Sequence, residues 1–314
     1  ADINFNEFQR NSSIKGVFKS KLLNSKLKFN FNYEDKKLKI YNSYFRSKNL
    51  SFNNEITITH QPFFFSSSII NVEDINIKWF KEIIFKKILP PAEVLKQLKA
   101  HLSSDKLFQQ DFNDVILIHD NALAALVPKT LFNKDNLSDY LKFNSKILNN
   151  DFITFDELTQ NEIINVYVPY VNINNFIFDT YGTFEYNHYS TLLINTLFEI
   201  HDGGTNASMY VNIRSNHFEI VILKNKELIL FNSFEYKTEE DFVYYILFTA
   251  EQLLLDPETF PLTLMGKINK NDALYNAAYT YVRKVSVYNQ EPKFILKHED
   301  KESFIQNFVL QNSL

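Results

Sequence analysis

The order of the elements predicted between residues 208 and 285 constrains the fold more than any other feature of this sequence. Short apolar runs separated by polar turns predict three hairpin-linked strands. A capping box with acidic residues in the first helical turn then starts a helix, a fourth apolar run ends at a glycine, and a second helix follows. This order predicts a mixed α/β sheet. The predicted strands are 209–213, 218–223, 228–231 and 262–265, and the helices start at Thr238 and Asp272.

The strands of this block are near-continuous apolar runs, which predicts that their side chains are largely buried. The sequence therefore predicts a set of buried strand side chains and an apolar side on each helix. The strand residues predicted to be buried are Val211, Ile213, Ile220, Ile222, Leu230 and Leu264, and the apolar side of the second helix is predicted to hold Leu274, Ala277, Ala278 and Tyr281.

The rest of the chain divides by its pattern of side chains. Residues 1–78 predict only antiparallel strands, whereas strands and helices alternate from about residue 79. A buried strand at 115–118 precedes the turn signal Asp120–Asn121, so 122–127 is predicted to return as its hairpin partner. The predicted segments are a β-rich segment at 1–78, a first lobe at 79–205, a second lobe at 206–290 and a C-terminal tail at 291–314.

Composition disfavours several classes of function. The chain has no cysteine, so it holds no disulfide framework, thiolate metal site or cysteine nucleophile. Its 33 basic and 37 acidic side chains give a net charge of -4, which disfavours nucleic acid as a partner. The longest apolar run, 242–250, is shorter than the ~20 residues of a membrane-spanning helix. We therefore expect a soluble protein, cytoplasmic over residues 79–314.

Several phrases of the sequence resemble a Bacteroidetes-type family of unknown function that is assigned an actin-like ATPase fold. The resemblance rests mainly on Leu228–Tyr236 and Glu240–Leu247, with support from 121–128, 139–143 and 167–170, and it covers about residues 80–287. It implies a two-lobed, actin-like (ribonuclease H-like) α/β fold preceded by the β-rich segment. Residues 14–76 instead resemble the repetitive strands of AsmA-like envelope proteins, which implies an envelope-protein origin for that segment.

Working members of the actin-like class hold nucleotide through an Asp-x-Gly hairpin in each lobe and a Gly-rich adenosine loop. Here the second-lobe hairpin reads Asn212–Asn216, with neither Asp nor Gly, and Gly266 stands alone after the fourth strand. No Asp-x-Gly precedes residue 90. The site is therefore predicted to be degenerate, with no catalytic residue, nucleotide cofactor or metal ion. The vestigial cleft candidates are Asn212, Arg214, Ser215, Asn216 and Gly266.

Other polar groups form no recognisable catalytic or metal-binding pattern. His201 and His217 are interpreted as surface histidines, and Asp156–Glu157 as a pair at a turn. Arg214 is interpreted as a solvated arginine in a polar turn. The function that fits best is a non-catalytic scaffold or adaptor that binds a protein partner. The alternative is an ATP-dependent enzyme of the actin-like or sugar-kinase type with an unfamiliar phosphate site.

Overall fold

The structure, a computed structural model, describes residues 82–83, 85, 89–142, 145, 147–148, 150–158, 162–288 and 306–312 with their side chains. It describes further strands by their backbone alone, at 12–20, 25–34, 37–46, 51–54, 64–71, 76–84 and 295–296.

The elements follow one another as strands and helices in mixed order. The strands are β1 (Ser12–Ser20), β2 (Ser25–Glu34), β3 (Lys37–Arg46), β4 (Ser51–Asn54), β5 (Phe64–Asn71), β6 (Asn76–Ile84), β7 (Ile116–His119), β8 (Ala124–Pro128), β9 (Thr154–Glu157), β10 (Ile163–Tyr167), β11 (Glu185–His188), β12 (Ser208–Ile213), β13 (His217–Lys224), β14 (Glu227–Glu235), β15 (Pro261–Gly266), β16 (Lys284–Val287) and β17 (Ile295–Leu296). The helices are α1 (Pro91–Ser104), α2 (Leu137–Leu141), α3 (Val171–Tyr181), α4 (Tyr189–Ile200), α5 (Glu239–Gln252), α6 (Ala273–Tyr281) and α7 (Phe308–Asn312).

The chain divides into two compact units. One comprises residues 1–57 and 201–290, and the other comprises residues 58–200 and 291–314. The segment boundaries at 78 and 205 that the sequence suggested stay predictions.

A five-stranded sheet forms the centre of the unit that contains residues 201–290. Its strand order is β14-β13-β12-β15-β16, antiparallel from β14 to β12 and parallel from β12 to β16. Every strand and helix predicted in this block is present. The six strand side chains predicted to be buried are all buried in one apolar core, together with Phe242 of α5 and Tyr275 of α6. The prediction that Tyr281 lies on the apolar side of the second helix is wrong, because Tyr281 is the last residue of α6 and is 58% exposed.

Helix α5 has a well-defined start and end. Its N-terminus is the predicted capping box, in which Thr238 Oγ1 accepts from the Asp241 N–H and Asp241 Oδ2 accepts from the Thr238 N–H. At its C-terminus the Leu255 N–H donates to the Ala250 carbonyl and the Leu254 N–H donates to the Glu251 carbonyl. These two bonds form a Schellman motif.

The strands of residues 1–57 form a separate four-stranded antiparallel sheet in the order β1-β2-β3-β4. This is the antiparallel arrangement that the alternating sequence predicts.

The unit that contains residues 58–200 is built on three smaller sheets. Their orders are β17-β6-β5, the parallel pair β11-β7, and the antiparallel β8-β10-β9. Helices α1 and α3 share an apolar core with Phe85, and α2 packs on the core of the β8-β10-β9 sheet. The fold is thus mixed α/β in both units.

The predicted hairpin between 115–118 and 122–127 is wrong. Strand β7 pairs with β11 in parallel, and β8 pairs with β10. Asn121 explains the change of direction, because its Oδ1 accepts from the Leu123 N–H while its Nδ2 donates to the Val168 carbonyl. The chain does change direction at Asn121, but the strand that follows joins a different sheet.

Within the part of the chain that the structure describes, no helix combines the length and the apolar character that crossing a membrane requires.

Candidate functional site

The β12–β13 hairpin and the end of β15 bring the five predicted cleft residues to the same end of the five-stranded sheet, where β12 and β15 finish. Ile213 pairs with Gly266 in parallel register, so the turn after β12 lies beside the turn after β15. Lys267 Nζ lies 3.2 Å from Ser215 Oγ and donates to it. Tyr236, just after β14, donates its hydroxyl to the Arg214 carbonyl (2.9 Å) and its N–H to the Asn216 carbonyl (3.3 Å).

Gly266 permits a very close approach of the two backbones. Its φ is +84°, and a Cβ placed on it would lie 2.3 Å from the Ile213 carbonyl oxygen and 2.9 Å from Asn212 Oδ1. Both the backbone conformation and the space therefore require glycine here. The close contact is made with the protein's own backbone, so this glycine has a structural reason to be present.

A buried carboxylate faces the hairpin. Glu219 on β13 is 3% exposed and lies directly across from Asn212 on β12. Asn212 Nδ2 donates to Glu219 Oε2 at 2.8 Å, and His217 Nε2 lies 3.0 Å from Glu219 Oε1. Both carboxylate oxygens are therefore engaged by side chains of the same hairpin.

Arg214 is not the solvated arginine that the sequence suggested. It is 6% exposed, its N–H donates to the His217 carbonyl, and its own carbonyl accepts from Tyr236. The Lys267 N–H donates to the Ile213 carbonyl. The backbone N–H groups of Arg214 and Lys267, which flank the two turns, therefore already have acceptors within the protein.

A second polar cluster, which sequence reasoning missed, lies in the unit that contains residues 58–200. Asp156 is buried in β9 and accepts three hydrogen bonds of 2.8–2.9 Å. The donors are the Tyr167 hydroxyl, the His188 N–H and the Thr191 hydroxyl. The interpretation of Asp156–Glu157 as a turn pair is therefore wrong, because both residues lie in a strand. Burial raises the pKa of Tyr167, and the neighbouring Asp156 adds to the effect.

The hydrogen bonds fix the direction of the protons in this cluster. Since Thr191 gives its proton to Asp156, its oxygen accepts from Asn165 Nδ2, which also donates to Ser190 Oγ. Ser190 can then donate to His188 Nδ1, while His188 Nε2 donates to the Asn121 carbonyl. This assignment gives His188 the neutral Nε2–H tautomer and links β9, β10, β11 and α4.

His119 occupies the matching position on the neighbouring strand, since it pairs with His188 across β7 and β11. Its Nε2 lies 2.8 Å from Asn174 Oδ1, and its Nδ1 accepts from the Tyr170 N–H at 3.4 Å. Burial lowers the pKa of His119 to about 4, against a smaller rise from Asn174, and His188 lowers it slightly further. Both histidines are thus held as neutral hydrogen-bonding groups.

The other predicted polar residues do not assemble into a site. His201 is buried, which corrects its interpretation as a surface histidine, and its Nδ1 contacts the Tyr210 hydroxyl at 3.0 Å. His217 instead contacts Glu219 and Asn216. Across the described residues, no group of three or more His, Asp or Glu side chains is placed to hold a metal ion.

No local signal in the sequence identifies the Asp156 cluster. Its members come from three strands and one helix, and each occupies a position where an ordinary strand or cap residue would be expected. Alternation of side chains shows which face of a strand is buried, but it does not show which other strand supplies the partner.

Comparison with known proteins identifies both the family and the fold. The model of a family described as "Protein of unknown function (DUF3822)" matches residues 42–285. None of the curated proteins matches this sequence.

The fold occurs among solved structures. A protein of unknown function with an actin-like ATPase fold, from Bacteroides thetaiotaomicron VPI-5482, is similar with a TM-score of 0.64 at 22% identity, over 77% of this chain and 91% of that one. A PilM–PilN type IV pilus biogenesis complex is similar with a TM-score of 0.51 at 10% identity, over 80% of this chain and 95% of that one. At these identities the likeness establishes the actin-like fold.

Proposed function

This chain belongs to the DUF3822 family, and from that premise we propose that it is a non-catalytic scaffold or adaptor, an actin-like fold that binds a protein partner in place of a nucleotide. Its location in the cytoplasm over residues 79–314 is part of the same proposal.

The observation that carries the proposal is the internal hydrogen bonding of the β12–β13 hairpin. A phosphate cradle needs converging backbone N–H groups that are free to donate, and a bound Mg²⁺ needs a carboxylate that is free to ligate. Here the backbone N–H groups of Arg214 and Lys267 donate to backbone carbonyls, and the two oxygens of Glu219 contact Asn212 and His217. These backbone donors and this carboxylate are therefore engaged inside the protein.

Charge supports the same conclusion. The buried acidic side chain beside the hairpin is Glu219, whereas phosphate is bound in proteins by cationic donors. The Lys267 ammonium donates one of its hydrogen bonds within the protein, to Ser215 Oγ.

The fold itself is compatible with a protein partner. The PilM–PilN complex, which shares the fold at 10% identity, is by its description a complex of two proteins in type IV pilus biogenesis. An actin-like fold can therefore take part in an assembly with another protein.

Isothermal titration calorimetry tests the proposal. Titration of the full chain with Mg-ATP to high micromolar concentration should give no saturable heat, because the backbone N–H groups of Arg214 and Lys267 and both oxygens of Glu219 are already engaged within the protein. Asn216→Ala, at a half-buried position of the same turn, is the matched variant and should behave identically. Saturable binding that Asn216→Ala abolishes without lowering the melting temperature would contradict the proposal and make the ATP-dependent enzyme the better reading.

A further inference from the structure

The outward face of helix α5 carries apolar side chains where an amphipathic helix normally carries polar ones. At 100° per residue, positions 240, 244, 248 and 251 lie in one stripe opposite the buried Phe242 and Ile246. Tyr244 in this stripe is 58% exposed, and its ring stacks on Phe248 with centroids 5.8 Å apart. We call Glu240, Tyr244, Phe248 and Glu251, together with Leu254 two residues after the end of the helix, the α5 face.

Leu254 is the least expected member of the α5 face. It is 88% exposed, and it occupies the position of the Schellman motif that requires positive φ, here +56°. Glycine is the usual residue at that position, because a side chain there is strained. A leucine gains nothing from burial at this exposure, so the fold itself gives no reason for it. Strain retained where packing does not demand it is typical of a functional position.

All the charged residues of α5 are acidic. The helix contains Glu239, Glu240, Asp241 and Glu251 and no lysine or arginine. Asp241 belongs to the capping box, while Glu240 and Glu251 lie in the outward stripe on either side of Tyr244. An exposed tyrosine with carboxylates above and below it offers both an aromatic surface and a negative potential to a cation.

We propose that the α5 face docks a basic amphipathic segment of a partner protein, one that places apolar side chains on Tyr244, Phe248 and Leu254 and lysine or arginine beside Glu240 and Glu251. The inference rests on the proposed scaffold function and supplies the surface and the partner chemistry for it. Tyrosine and apolar anchors within a polar rim are the features that concentrate binding energy at protein interfaces.

A synthetic probe tests the inference with the full chain. The probe is a fluorescein-labelled helical peptide made only of leucine and lysine with a period of 3.6, and its matched control replaces every lysine with glutamate. Fluorescence anisotropy should show saturable binding of the lysine peptide, weakened by added salt, and no binding of the glutamate peptide. Hydrogen exchange should locate the protection on residues 240–254.

Leu254→Gly separates binding from folding. Because glycine relieves the strain at positive φ, the variant should melt at the same temperature as the parent or higher, yet bind the lysine peptide at least tenfold more weakly. Tyr244→Ser should weaken binding to a similar degree. Tyr281→Ser removes an equally exposed tyrosine from α6 and should leave binding unchanged.

Three results would overturn the inference. They are absence of binding by the lysine peptide, equal binding by the parent and the Leu254→Gly variant, and self-association of the chain that Tyr244→Ser abolishes, which would make a second copy the occupant. None of these results changes the outcome expected of the Mg-ATP titration. Nucleotide binding in that titration would refute the scaffold function, whereas the peptide assay would still report whether the α5 face binds a basic segment.

Discussion

Gly266 shows how one residue joins two strand ends. It has a positive φ and lies beside the Ile213 carbonyl and Asn212. The close approach of the ends of β12 and β15 therefore depends on the absence of a side chain at this position. Gly182, which ends α3, also has a positive φ, but a Cβ there would meet nothing within 4 Å. The two glycines therefore differ in the space around them and share the conformational requirement.

We expect Gly266→Ala to destabilise the protein more than Gly182→Ala. Backbone strain at positive φ should cost about 1–3 kcal/mol in either variant. The alanine at 266 must in addition displace the Ile213 backbone, because its Cβ would lie 2.3 Å from a carbonyl oxygen. Urea unfolding of both variants measures the difference, and equal free energies of unfolding would show that the β15 turn relaxes without cost.

At the scale of elements, a polar cluster joins β9, β10 and β11 to the first turn of α4. Asp156 accepts from both a strand neighbour and the helix, through Tyr167 and Thr191. Removing one partner of a buried hydrogen bond costs more than an exposed bond contributes, because the polar group left behind has neither its partner nor water. Neighbouring Glu157 forms an exposed salt bridge with Lys129 and offers the contrast.

Asp156→Asn should lower the free energy of unfolding by about 1–3 kcal/mol, because its amide group would turn a donor toward a site that already supplies three donors. Glu157→Gln should leave the free energy of unfolding almost unchanged, because solvent screens an exposed ion pair. Urea unfolding followed by the fluorescence of Trp79, the only tryptophan, reports on this unit. Comparable losses in both variants would argue against a cooperative cluster.

The neighbouring His119 predicts a dependence of stability on pH. Its pKa is about 4 in the folded protein and near 6.5 when unfolded, so the unfolded chain binds more protons between these values. The contribution of neutral His119 to the free energy of unfolding is therefore fully present above pH 6.5 and falls as the pH drops towards 4. Below pH 4 this contribution, on the order of 3 kcal/mol, is lost. The buried His201, whose pKa burial also lowers, contributes in the same direction.

Urea midpoints measured through Trp79 fluorescence between pH 7.5 and pH 4 test this prediction. The parent protein should lose stability across that range more steeply than His119→Gln, which keeps a polar side chain and removes the titration. Parallel slopes for the two proteins would mean that His119 does not carry the effect.

At the scale of the whole molecule, the two compact units interrupt each other along the chain. Residues 1–57 belong with 201–290, whereas the β5–β6 hairpin belongs with residues up to 200. A cut at the predicted boundary of residue 78 would remove all of β5 and the first residues of β6, although a cut at residue 57 would spare both strands. The position of the cut should therefore decide whether the remaining protein is soluble.

Deletion of residues 1–78 should give insoluble protein, because the remainder of β6 would lose its antiparallel partner and expose unpaired backbone groups. Deletion of residues 1–57 keeps that pairing, and we expect a larger soluble fraction. Size-exclusion chromatography of both products measures the difference. A soluble 1–78 deletion that unfolds cooperatively would instead favour a β-rich segment merely appended to the later units.

The sequence by itself determined the element order of residues 208–285, the buried strand side chains and the resemblance to an actin-like fold. Apolar period, capping box and turn residues are local, and they can be seen without knowing what packs on them. The tertiary structure alone decided that β7 pairs with β11, that Asp156 collects three donors and that Arg214 is buried. Each of these depends on which distant segment supplies the partner, and a strand's side-chain pattern specifies its buried face but leaves its neighbour open.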